Sequence, residues 1–327
     1  MLGGTGAIGT PTVPALVAAG HEVSALARTR DKADAVRAQG ATPVTVSMFD
    51  RDALTEAFRG HDAVVNLATS QPSAMTFVFL RAWRPTERVR IDGSAAVVDA
   101  ALAAGVPRLL QESVTMIYPD RGDQWIDEEV PIDPMPTAKG NLGAEASAHR
   151  FTGAGGTGVV LRFGFFYGPS ASHSSQFLGL ARRHIATSIG HPGSYVSSIH
   201  TDDGASAVVA ALDIPAGTYN IVDDRPLTKR EYAGALAGAV GKRPWIRVPG
   251  RVALVLGHRT ASLTRSMRVS NAKFRAASGW DPQFPSAREG WAATAGAIWC
   301  PGRWTARTGE RAPGALRSAH RRAKEER

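Results

Sequence analysis

The chain has 327 residues, a net charge of +9, 43% hydrophobic residues and a single cysteine, Cys300. That composition supports one large α/β domain with a smaller cap, excludes an intrachain disulfide, and offers no apolar run near the ~18 residues that cross a bilayer. Without a basic-then-apolar leader the expected home is the cytoplasm, and the clustering of charge in Pro301–Arg327, where eight Lys/Arg face three Glu, reads as a solvated disordered tail and argues against a nucleic-acid partner.

In chain order, Met1-Leu2 runs straight into a glycine-rich turn, Gly3 to Gly9. A buried strand normally precedes such a turn, so the first strand is expected to be a stub. A start placed too far downstream explains this better than a sheet without its central strand, whose loss would expose two strand edges. Helical spacing follows at Pro11–Ala19, with Pro14 expected to perturb it, and then at Asp31–Gln39, Arg51–Phe58 and Ile91–Ala104. Strand-like runs alternate with these at Glu22–Ala27, Pro43–Ser47, Ala63–Ala68, Arg108–Glu112 and Gly158–Arg162.

This alternation predicts an α/β fold, a Rossmann-type doubly wound parallel sheet with a truncated first strand over residues 1–165. Residues 166–300 are expected to form a smaller substrate-binding portion, with 198–224 returning to the sheet. Within it, Gly168–Ser198 reads as a loop with one short helix, Asp202–Leu212 as a helix and Thr218–Val222 as a strand. Helical segments follow at Thr228–Val240 and Val252–Leu263, and Val269–Ser278 closes the ordered chain before the 301–327 tail.

Gly3, Gly6 and Gly9 give the spacing in which the first glycine makes a tight turn, the second lets backbone approach a pyrophosphate and the third lets helix pack on strand. The amides of Ala7, Ile8 and Gly9 at the helix start would face phosphate oxygens. The residue that reads the adenosine ribose stands about 20 residues further on, where an NAD site usually carries Asp or Glu. This chain carries Arg28, then Arg30 and Lys32, cations suited to a 2′-phosphate, so the expected cofactor is NADP, with NAD possible. Phe49 and Asp50 would stand beside the adenine, and Leu67, Ala68 and Thr69 along the pyrophosphate and nicotinamide ribose.

With Asp62–Ala68, Val106–Leu110, Leu161–Pro169 and Ile199–Asp203, these stretches resemble the extended short-chain dehydrogenases/reductases, the NAD-dependent epimerase/dehydratase family, from about Gly3 to Trp291. The resemblance implies an oxidoreductase or epimerase/dehydratase-like enzyme acting on a small or nucleotide-linked carbonyl or alcohol. It also implies a Tyr acid/base, a Lys four residues later that lowers its pKa and holds the ribose, and a Ser or Thr at the substrate oxygen. Aligned on Glu145, the chain has Thr137 for the Tyr and Asn141 for the Lys, with Lys139 the nearest cation. Val114 occupies the hydroxyl position, leaving Ser113, which would also line the cofactor, and Tyr118 as candidate catalytic residues. The absent pair keeps a second reading open, a catalytically silent NADP(H)-binding sensor or assembly factor.

Glu112, at the end of a central strand, is either a high-pKa acid or the partner of a neighbouring Arg. His200-Thr201-Asp202-Asp203 reads as a helix cap or as a substrate contact through His200. Tyr167 and Trp125 would edge the substrate pocket, and Arg268 and Lys273 are either anion contacts or surface cations. No set of His, Cys, Asp and Glu has metal-ligand spacing.

Overall fold

The computed structural model describes residues 1–72, 76, 79–186, 190–243, 246–247 and 264–299; the expected helix at 252–263 and the basic tail lie outside them. After the glycine turn come α1 (Gly9–Ala18), β1 (Ser24–Leu26), α2 (Arg30–Ala38), β2 (Thr42–Val44), α3 (Arg51–Phe58), β3 (Ala63–Asn66) and α4 (Arg84–Arg88). A single π-turn, Val89–Gly93, joins α4 to α5 (Ser94–Ala103). Then follow β4 (Arg108–Val114), β5 (Trp125–Ile126), α6 (Lys139–Gly153), β6 (Thr157–Phe163), β7 (Phe165–Tyr167) and α7 (Ser172–Arg182). The remainder is β8 (Ile185–Ala186), β9 (Tyr195–Val196), β10 (Ser198–His200), α8 (Thr201–Ala210), β11 (Gly217–Ile221), β12 (Leu227–Thr228), α9 (Lys229–Ala239), β13 (Ile246–Arg247), β14 (Arg268–Val269), α10 (Ala272–Ser278) and α11 (Ala287–Trp299).

The first strand is a two-residue stub and still occupies the centre of the sheet. On one side the Met1 amine donates to Ser24 O at 2.6 Å and Leu26 N donates to Met1 O at 2.9 Å. On the other, Leu2 N donates to Val65 O at 2.8 Å and Leu67 N to Leu2 O at 3.1 Å. The parallel order across the sheet is therefore β2, β1, Met1-Leu2, β3, β4, β6, β11. The reversal of winding falls at the stub, which is where open α/β sheets place ligands outside the strands' carboxyl ends.

Helices cover both faces because the central strands are apolar on both. Leu110, Val159 and Leu161 point with Ile8 and Val208 into the core shared with α1 and α8, while Leu109 and Val160 point with Leu54, Val97 and Phe151 into the core shared with α3, α5 and α6. Each such fully buried side chain contributes ~1.5–3 kcal/mol. Pro14 sits inside α1 without ending it, on the helix's exposed face.

Beyond β6, the short helix expected within the 168–198 loop is α7. α7 is an 11-residue helix packed with α9 and α11 around Tyr167, Leu178, Leu236 and Trp291. Short strand pairs, β7 with β10, β5 with β14 and β9 with β12, link this layer to the carboxyl edge of the main sheet.

Candidate active site

The glycine turn has the geometry that the spacing demands. Gly3 has φ +81°, and a Cβ there would lie 2.5 Å from Leu67 O and 2.9 Å from Ala68 N, so only glycine lets the turn press on the end of β3. A Cβ on Gly9 would overlap the Gly3 carbonyl, so the helix start is seated on the turn itself. No side chain caps α1, which leaves Ala7, Ile8 and Gly9 presenting the positive end of a helix to the crevice. Ser170 Oγ closes the far side by donating to Ala7 O at 2.7 Å.

Arg28 and Arg30 are both exposed just past β1, around the α2 cap Thr29, on the same edge of the sheet as the turn. Phe49 is half-exposed beneath the Arg88 guanidinium, 4.4 Å from its ring centre. The Asp50 carboxylate accepts from Ala53 N and caps α3. Leu67 is buried, Ala68 half-buried and Thr69 exposed, so the segment passes from the core under Gly3 to the surface of the crevice.

Residues 3–145 match the family described as NAD(P)H-binding. The 3-diazoavenalumate denitrifying reductase of a Streptomyces species is 34% identical over 302 residues, which cover 88% of this chain and 97% of that protein. The chain belongs to the extended short-chain dehydrogenases/reductases. Solved members of this NAD(P)-binding family share its fold. Human epimerase family protein SDR39U1 with NADPH superposes at TM-score 0.75 with 24% identity, covering 90% of this chain and 97% of that one. The Thermus thermophilus UDP-glucose 4-epimerase complex with NAD superposes at 0.73, also at 24% identity, covering 91% and 97%.

Against that family the catalytic positions are unusual. Thr137, in a short 3-10 turn, and the buried Asn141, in α6, stand where the Tyr and Lys are expected, and Lys139 opens α6 with its side chain exposed. Ser113 and Tyr118 are both engaged in a buried network under the site. Ser113 Oγ donates to Glu145 Oε1 at 2.6 Å, and Arg162 grips both oxygens of Glu145 at 2.9 and 2.8 Å. The same guanidinium donates to Tyr118 Oη at 2.7 Å, and Tyr118 donates to Asn220 Oδ1 at 2.9 Å. Burial pushes the Tyr118 phenol up to about 12, against a smaller opposing pull from Arg162, so the phenol holds its proton throughout the physiological range.

The two readings left open for Glu112 meet in one arrangement. Arg90, on the π-turn, donates through Nη2 to Glu112 Oε1 at 3.0 Å, with the two side chains 3% and 4% exposed. Burial pushes the Glu112 carboxyl up while Arg90 draws it down. Arg90 escaped the sequence reading, although a cation inside Val89-Arg90-Ile91 was a usable signal, since an unpaired guanidinium is not buried among apolar neighbours. Removing two charges from water costs several kcal/mol per ion even after relaxation.

Elsewhere, His200 Nδ1 accepts from Asp202 N at 3.2 Å and caps α8, with Asp202 and Asp203 in its first turn. Its ring lies between Tyr167 and Phe284, and burial lowers its pKa to about 3, so it is neutral. Tyr167 is fully buried in the second layer. The Arg268 guanidinium stacks on Trp125 at 4.3 Å and Tyr195 at 4.9 Å, and the Lys273 ammonium lies 5.3 Å from the Tyr219 ring centre.

Proposed function

We propose that this chain is an NADP(H)-dependent reductase that delivers hydride to a small-molecule acceptor without a Tyr–Lys proton donor. The observation that carries the reading is a complete dinucleotide turn beside Arg28 and Arg30 in a protein whose acid/base positions hold Thr137 and Asn141. The bound nicotinamide would supply the hydride. The chain's own residues do the rest: the α1 amides hold the pyrophosphate, Arg28 and Arg30 meet the 2′-phosphate, and the Ser113–Glu145–Arg162–Tyr118 network holds the floor of the site rigid.

An acceptor suited to such a site is one whose reduction needs no proton. The Streptomyces relative at 34% identity is named for reductive denitrification of a diazo compound. Hydride addition to the carbon of an aryl diazonium ion forms a C–H bond, and the C–N electron pair leaves with dinitrogen, so charge balances with no acid. Carbonyl reduction, by contrast, must find a proton for the alkoxide. The test is NADPH oxidation followed with aryl diazonium salts and with a panel of ketones and aldehydes. Turnover of the former well above the latter is the expected result. Carbonyl turnover at an equal rate would refute the proton-free reading, and tight NADPH binding without oxidation on either panel would favour the silent sensor.

A further inference from the structure

We propose that Arg90, Glu112 and Asn141 form the cradle for the nicotinamide riboside half of the dinucleotide, taking the place of the missing Tyr–Lys pair. This rests on the dinucleotide reading above and goes beyond it by adding Arg90 and Glu112, which no family motif marks, to Asn141 at the family's lysine position.

Among the described residues there are two buried Arg–carboxylate pairs, and they differ in kind. Arg162 and Glu145 are joined by two bonds, Nε to Oε1 and Nη2 to Oε2, and both Glu145 oxygens are used. Arg90 and Glu112 share only one, and Arg90 Nη1 and Glu112 Oε2 are buried without a partner. Asn141 Oδ1 is a third buried atom without one. A pair built for the fold alone would close as the first does, because an unmet buried polar group is costly.

The residues that carry these atoms sit on neighbouring elements at the carboxyl edge of the sheet. A Cβ on Gly140 would lie 3.5 Å from the Arg90 Cβ, so the start of α6, with Asn141 next in sequence, packs directly on the π-turn. Glu112 reaches the same place from β4, and Arg90 Nη2 lies 3.4 Å from Thr69 Oγ1. The segment Leu67–Thr69 thus touches the glycine turn at one end and Arg90 at the other. Two residues of extended chain, roughly 7 Å, separate the pyrophosphate seat from the cluster.

The unmet set is the Arg90 Nη1 amino group, with two N–H, and two acceptor oxygens. Its complement is a group with one acceptor and two donor hydrogens, which the nicotinamide carboxamide and the ribose cis-diol both present. Thr69, whose Oγ1 lies 3.4 Å from Arg90 Nη2, is exposed, as is Ser70.

Calorimetric titration with three ligands tests this: NADPH, 2′-phospho-ADP-ribose, which keeps the ribose but lacks nicotinamide, and adenosine 2′,5′-bisphosphate, which lacks both. Arg90→Met together with Glu112→Gln removes the two charges at once. Asn141→Ala leaves the ion pair intact and carries the test should the double variant not fold. NADPH affinity should fall about tenfold or more, a loss of about 1.4 kcal/mol, with the bisphosphate unchanged. A parallel loss for 2′-phospho-ADP-ribose assigns the contact to the diol, and its retention assigns it to the carboxamide. Unchanged NADPH affinity, or an equal loss for the bisphosphate, overturns the cradle. If the unsubstituted protein binds neither NADPH nor the bisphosphate, the dinucleotide reading itself has failed.

Discussion

Replacing Gly9 with alanine puts a methyl group in place of one hydrogen at the most crowded point of the nucleotide turn. Built on the present backbone, the new Cβ would overlap the Gly3 carbonyl oxygen and lie 2.8 Å from both Gly3 C and Gly4 C. All three are backbone atoms, so no side chain can swing aside and α1 must move off the turn. Overpacking of this kind typically costs ~1–3 kcal/mol. Displacing the α1 amides should also remove the hydrogen bonds to pyrophosphate, charge-assisted contacts worth ~1.5–3 kcal/mol each, so NADPH affinity should drop by one to two orders of magnitude or more. Gly179→Ala in α7 is the control: a Cβ there meets nothing within 4 Å and the residue is helical, so stability should rise by ~0.5–1 kcal/mol. Urea unfolding and calorimetry with NADPH read both effects. A Gly9→Ala protein with the stability and NADPH affinity of the parent would refute the turn geometry argued here.

Arg28→Ala should weaken NADPH by about tenfold or more while leaving NADH nearly unchanged, since only the former carries the 2′-phosphate that a guanidinium grips; equal losses for the two ligands, measured by fluorescence titration, would contradict the assignment. His200 carries the clearest pH signature. Its pKa falls from 6.5 to about 3 on folding, so below pH 6.5 the unfolded chain takes up a proton that the fold refuses, and stability is lost as pH falls from 6.5 towards 3 with a slope of up to ~1.4 kcal/mol per pH unit from this group. His200→Asn keeps an acceptor for Asp202 N and should flatten that slope in urea titrations at stepped pH; a slope identical to the parent's would show that His200 is not the group responsible.

Much of the architecture was written in local pattern. The glycines at 3, 6 and 9, the alternation of apolar runs with helical spacing, and the cations after β1 each act over a few residues, and the parallel sheet, its short central strand and its family follow from them. The second layer was less legible. The one short helix expected within 168–198 had no bounds, because α7 carries Ser172, Ser174 and Ser175 and hydroxyl residues compete for backbone hydrogen bonds. What stabilises it is the packing of Leu178 and Ala181 against α9 and α11.

Which polar groups pair with which was decided by the tertiary structure. Arg90 and Glu112 are 22 positions apart, Ser113 and Glu145 32, and Tyr118 and Asn220 102. Their meeting depends on the register of β4 between β3 and β6 and on how α6 sits over the π-turn. Periodicity tells which face of a strand is buried, but it carries no mark of which distant residue will lie across from it, and that is why the chain's residues alone announced a dinucleotide site and left the partners of Ser113, Tyr118 and Glu112 to the fold.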